Sequence, residues 1–216
     1  MAELVEINGT DLAAMLCSRV CHDLISPVGA IGNGLEVLAD PEQAEMAEFA
    51  QELINNSAKQ ARAKLEFARL AFGASSTQGT EIDTREAEKV AQSYMAGEKA
   101  DLDWKIEPVL LPKNKVKMML NLLLIAAGSV PRGGTVSVEL DGAEMGKEGV
   151  ILKSSGKKTL IPHLVGPLLA GKPEDGRIDA QVIQPYYAGL LARDCGLDVT
   201  IEMVDDVVII KAVGSA

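Results

Sequence analysis

Aromatic side chains are scarce in this 216-residue chain: three Phe, three Tyr and one Trp. A core with so few rings has to be aliphatic, of the Leu/Ala/Val/Met kind found in helical bundles, and 47% apolar content is enough to build one. Basic charge is also short. Twenty-one Lys and Arg against 31 Asp and Glu leave a net charge of −10. That argues against a nucleic-acid partner, which is held through clustered Lys and Arg. No apolar run approaches the roughly 18 residues of a membrane span. The opening Met1-Ala2-Glu3-Leu4-Val5-Glu6 lacks the positive start of a signal peptide. The chain therefore reads as cytoplasmic, with no membrane contact. Cysteine is limited to Cys17, Cys21 and Cys195, an odd number that does not make a disulfide framework. Cys17, Cys21 and His22 invite a metal reading, but adjacent helical residues diverge by about 100° and a fourth ligand is missing. Small packing residues fit them better, and no metal is expected.

Histidine occurs twice, at His22 and His163, and the first is in unusual company. Leu16, Val20, Leu24, Ile31, Leu35 and Leu38 recur at intervals of three, four or seven, one face of an α-helix. At about 100° per residue, His22 lies roughly 200° from both Val20 and Leu24 and so points away from that stripe. Its own face reads Ser18, His22, Ser26, Gly29, Asn33, small or polar residues low enough for another protein to approach. A surface histidine on a helix is ordinarily inert. Here, however, Pro27 sits inside the helical pattern at a cost of about 3 kcal/mol. Gly29, Gly32 and Gly34 follow at about 0.5–1 kcal/mol each. Such penalties beside an exposed His-Asp pair point to a site rather than plain scaffold.

Along the chain, Asn8-Gly9-Thr10 starts a helix that runs to about Ala39. Asp40-Pro41 breaks it and opens a second helix from Pro41 to about Phe72, with a stripe of Met46, Phe49, Leu53, Ala61, Leu65, Ala68 and Phe72. Joined by a tight turn, the two must lie antiparallel. Their apolar surface is wider than one hairpin covers, so a four-helix bundle of two chains is the economical arrangement; the alternative is a hairpin packed on its own second domain. Residues 73–80 read as a linker. Beyond it the pattern predicts a helix over 84–98, a strand over 102–107, a very apolar helix over 113–130 and strands over 135–140 and 149–153. A short helix over 161–170, a longer one over 179–195, and a hairpin of 199–203 with 207–212 complete it. The fold class is α+β: a helical hairpin over 1–73, then an α/β domain over 81–216 with a mixed sheet covered by helices on one face.

The hexapeptide His22-Asp23-Leu24-Ile25-Ser26-Pro27 resembles the H-box of histidine kinases: His, an acid, then Ser/Thr/Asn four positions and Pro five positions on. The second domain resembles their ATPase domain, with Asn121-Leu122-Leu123-Leu124-Ile125 in place of the N-box and Arg132-Gly133-Gly134 leading into the next strand. The departures matter. The second N-box asparagine, a Mg²⁺ ligand in that family, falls on Ile125, which has no lone pair to offer a hard cation. The G1 turn falls on Ser154-Ser155-Gly156-Lys157-Lys158, without its aspartate or second glycine, and Gly166 and Gly171 are isolated rather than part of a phosphate-cradling lid. Dimerisation helices with a phosphorylatable His and a degenerate ATPase-like domain resemble the ChpT-type histidine phosphotransferases of bacterial cell-cycle phosphorelays.

That resemblance implies a homodimer whose His22 takes a phosphoryl group from the receiver domain of a hybrid histidine kinase and passes it to response regulators. No cofactor is bound, and Mg²⁺ is supplied by the receiver. Asp23 would fix the imidazole tautomer, Ser26 would meet the phosphoryl group or a water, and Arg19 would steady the transferring group. Each also reads as an ordinary surface residue: a solvated charge, a small side chain for partner approach, a plain arginine. Arg62, Lys64 and Arg69 would face an acidic receiver pocket or simply solvent, and His163 reads as incidental. Two other activities fit the same sequence, an ATP-dependent histidine kinase with a divergent nucleotide site and a non-catalytic dimeric adaptor.

Overall fold

The computed structural model describes residues 4–73, 80–142, 149–173 and 176–214. Helix α1 spans Gly9–Ala39 and is capped by Asn8, whose Oδ1 accepts from the Asp11 amide at 2.9 Å. The second helix does not start at Pro41 as expected. Asp40 accepts from the Glu42 amide at 3.0 Å and from the Gln43 side chain at 2.7 Å, and the chain turns through a 3₁₀ segment, Pro41–Met46, with Gln43 off helical geometry. Only then does α2 run, Ala47–Ala71. The expected linker falls mostly on 74–79, outside the described residues.

The remaining elements are β1 (Glu81–Asp83), α3 (Thr84–Met95), β2 (Ala100–Trp104), β3 (Leu110–Pro112), α4 (Lys113–Gly128), β4 (Gly134–Asp141) and β5 (Gly149–Gly156). They are followed by α5 (Val165–Leu169), α6 (Ile183–Asp194), β6 (Leu197–Val204) and β7 (Val207–Gly214). The α+β class is as read from the sequence. Five strands form a mixed sheet in the order β2-β4-β5-β7-β6, with β2 parallel to β4 and the other pairings antiparallel. Register puts Val138 opposite Leu152 and Leu152 opposite Ile210, so the buried residues of three strands share one face against α4. The other face carries the ion pairs Lys153–Glu139 and Lys211–Glu202. Asp205 and Asp206 both take positive φ (49° and 62°), the geometry of the tight hairpin turn expected there. The short β1–β3 ladder was not anticipated, and α6 begins at Ile183 rather than Asp179. Asp179 instead accepts from the amides of Gln181 and Val182, forming a turn ahead of the helix.

Hairpin and sheet domain share a core. Phe67, Leu70 and Ala71 of α2 belong to one apolar cluster with Met118, Met119 and Leu122 of α4. The buried Asn121 side chain donates to the Ala71 carbonyl at 3.1 Å. The N-terminal segment closes a second contact. The Val5 amide donates to Gly171 O and the Tyr186 hydroxyl to Val5 O, both at 2.9 Å, while Ile7, Leu12, Met15 and Leu16 pack on Leu168, Ile183 and Tyr186. Among the described residues, no helix is long and apolar enough to cross a membrane.

Helix α6 approaches α5 so closely at Gly189 that a methyl group there would collide with the Leu169 backbone. Gly189→Ala is expected to lower stability by about 1–3 kcal/mol through overpacking, read as a lower urea midpoint with an unchanged m-value.

Candidate phosphotransfer site on the first helix

Helix α1 presents different residues on its different sides. Pro27 and Gly34 are buried against α2. Gly34 is there for space, since a Cβ would stand 2.6 Å from Ile54 Cγ1 and 3.1 Å from Ala50 O. Gly29 and Gly32 meet nothing within 4 Å, so packing within this chain does not require them. The expected inward stripe is only partly inward: Leu16, Val20, Leu24 and Ile31 are half-buried, whereas Leu35 and Leu38 are exposed, as are Phe49 and Leu65 on α2. One hairpin cannot cover both apolar sides of its helices. The exposed side of α1 follows Cys17, Cys21, Leu24, Val28, Ile31, Leu35 and Leu38, a strict alternation of four and three residues. That is the spacing of a coiled-coil seam.

His22 lies off both lines, with its side chain 84% exposed. Asp23 is turned inward, 24% exposed, with Oδ1 3.6 Å from His22 Nδ1. Arg19, one turn earlier, donates from Nε to Asp23 Oδ2 at 3.1 Å. Ser26 is exposed one turn after His22. Pro27 cannot donate to the Asp23 carbonyl, so the helix loses one rung directly below the site. The structure thus brings His22, Asp23 and Arg19 into one chain of contacts.

Tyr94 of α3 forms the wall behind that chain. Its ring lies 4.4 Å from that of Phe67, with Lys64 Nζ 5.9 Å from its centre. Burial, reinforced by the Glu98 and Asp23 charges and opposed by Arg19, holds its hydroxyl well above the usual tyrosine range, so it stays neutral. Arg19 and Tyr94 line a cleft of about 350 Å³ together with Lys99 and the end of α4. Arg62 pairs with Glu66 at 3.8 Å, Arg69 is exposed, and His163 is an exposed residue ahead of α5.

The N-box-like segment is tied into the fold. Besides Ala71 O, the Asn121 amide donates to Lys117 O at 2.9 Å, and Gln184 of α6 donates to Asn121 O at 2.6 Å. Ser154, in the segment compared above with the G1 turn, is buried and donates to Ala126 O at 2.8 Å. Val165 and Leu169 share the core with Ile125 and Ala126.

Comparison with known proteins shows the family to which this fold belongs. The model of the histidine phosphotransferase C-terminal domain matches residues 84–207. The chain belongs to the histidine phosphotransferase family. Protein phosphotransferase ChpT of Brucella abortus (strain 2308) is 44% identical over 208 residues, covering 96% of this chain and 98% of that one. A bacterial phosphotransferase of known structure is 42% identical, with a TM-score of 0.88 over 97% of this chain and 98% of its own. The likeness of this phosphotransferase to these relatives spans nearly all of the chain, hairpin and sheet domain alike.

Asn121→Ala leaves the Ala71 carbonyl buried without its donor. Stability is expected to fall by about 1–3 kcal/mol, with hydrogen exchange at the end of α2 rising before that of the sheet.

Proposed function

We propose that this phosphotransferase relays phosphoryl groups through His22 between receiver-domain aspartates, without using ATP. The observation that carries the reading is the placement of His22: an imidazole exposed in the middle of a long helix, with a carboxylate beside its Nδ1 and low side chains above and below. Imidazole is an effective nucleophile in the physiological range. Transfer of a phosphoryl group needs mainly in-line positioning and charge stabilisation. The Nε2 lone pair bonds to phosphorus as the bond to the donor aspartate breaks, and the reverse step delivers the group to an acceptor. Asp23 orients the ring from the Nδ1 side. Ser26 faces the transferring group. The receiver brings Mg²⁺ and the acceptor carboxylate. The donor is the receiver of a hybrid histidine kinase and the acceptors are response regulators of a cytoplasmic cell-cycle phosphorelay. ATP independence is supported by the engagement of Asn121 and Ser154 in internal hydrogen bonds and by the isoleucine at position 125.

The chain works as a homodimer. Exposed Ile25 (70%), Val28 and Leu35 (55% each) flank or form the seam of α1, and a second copy covers them in a two-fold four-helix bundle. The dimerisation unit is residues 1–73 and the second domain residues 81–216.

The test offers the purified chain a receiver domain phosphorylated on aspartate. Acid-labile, base-stable phosphate is expected on the wild type and not on His22→Ala, and no label is expected from ATP with Mg²⁺ alone. Label arriving on the His22→Ala chain, or on the wild type from ATP, overturns the reading. Dimerisation is checked separately by sedimentation equilibrium. The wild type is expected at twice 22.9 kDa and Leu35→Glu at the single-chain mass, because a seam charge without a partner costs several kcal/mol to bury.

A further inference from the structure

We propose that Arg19 is a positioning residue, acting on His22 through Asp23 rather than on the phosphoryl group. The proposal rests on His22 being the phosphorylated residue and adds a part to that site. The guanidinium Nε is committed to Asp23 Oδ2 at 3.1 Å, and the pair is one turn apart on a helix, the spacing at which such contacts form. Arg19 and Asp23 are each about three-quarters shielded from solvent, against 84% exposure for His22. Shielding strengthens the pair relative to an open surface ion pair. With Oδ2 taken, Asp23 has Oδ1 left for the imidazole, and Oδ1 is the oxygen that stands 3.6 Å from Nδ1. A small rotation of the exposed ring closes that gap to a hydrogen bond.

The chemical consequence concerns the tautomer. A carboxylate accepts from Nδ1–H, so the proton stays on Nδ1 and the lone pair on Nε2, the nitrogen facing solvent and partner. When Nε2 takes the phosphoryl group and the P–O bond to the donor aspartate breaks, the donor carboxylate leaves. The ring, now carrying a proton on Nδ1 and phosphorus on Nε2, is cationic, and Asp23 stabilises that charge. Without Arg19, the Asp23 carboxylate is free to rotate toward solvent, and the ring loses its preference. Tyr94 and Phe67 close the space behind the pair with apolar ring surface, so the sheet domain helps confine it through α3.

The experiment combines a mutant cycle with a spectroscopic readout. Arg19→Gln is expected to slow phosphoryl uptake from a phosphorylated receiver by roughly 10-fold, as loss of orientation does. Asp23→Asn is expected to slow it at least as much, and the double variant no more than Asp23→Asn alone. ¹⁵N chemical shifts of His22 in the unphosphorylated wild type are expected to show the Nδ1–H tautomer in excess, and in Arg19→Gln the ratio of free histidine. Multiplicative losses in the double variant place Arg19 on the phosphoryl group itself and overturn the proposal. So does a wild-type ring already at the free-histidine ratio, a result that needs no variant to fold. Failure of the underlying reading looks different: His22→Ala would then still take up phosphate, whatever Arg19 does.

Discussion

A side-chain amide on a helix-end carbonyl joins the two halves of this molecule. Asn121 reaches from α4 to the Ala71 carbonyl, and Gln184 in turn holds Asn121. Buried polar groups must be paired, so the joint tolerates little displacement. The apolar contacts of Phe67 and Leu70 on one side, and the packing of Leu12 and Met15 on α5 and α6 at the other end, leave α1 with a single rotational setting. That setting buries Pro27 and Gly34 and turns His22 outward.

The same joint reaches into the ATPase-like half. Its sheet and its long apolar helix are fastened by internal hydrogen bonds from buried polar side chains. Asn121 secures α2, and Ser154 secures the sheet to Ala126. An apolar residue at 125 packs with Val165 and Leu169 in the core. Under the proposed function this matches a protein that receives its phosphoryl group ready-made and gains from a rigid frame rather than from a mobile catalytic domain.

Much of this was legible beforehand because the signals are local. Caps at Asn8 and Asp40, the apolar run over Met118–Ile125 and the Asp205-Asp206 turn each announce their element within a few residues. The errors arose where local signals compete. Pro41 suits the first turn of a helix, yet Asp40 holds both Glu42 and Gln43 and tightens that turn to 3₁₀. Asp179 has the side chain of a helix start and instead makes a turn with it. Leu35 and Leu38 look buried in a periodicity count, which reports an apolar face without saying what lies against it.

The direction of His22 followed from the sequence alone, since 100° per residue separates it from its apolar neighbours whatever the rest of the chain does. The family resemblance was likewise written in the residues. Only the tertiary structure decided that Tyr94 stands behind the Arg19–Asp23 pair, and which of two apolar lines on α1 is covered. The Asn121 amide meets a carbonyl 50 residues away, and Gln184 meets Asn121 across 63. Such contacts depend on where whole elements dock, and no spacing within a helix or strand encodes that.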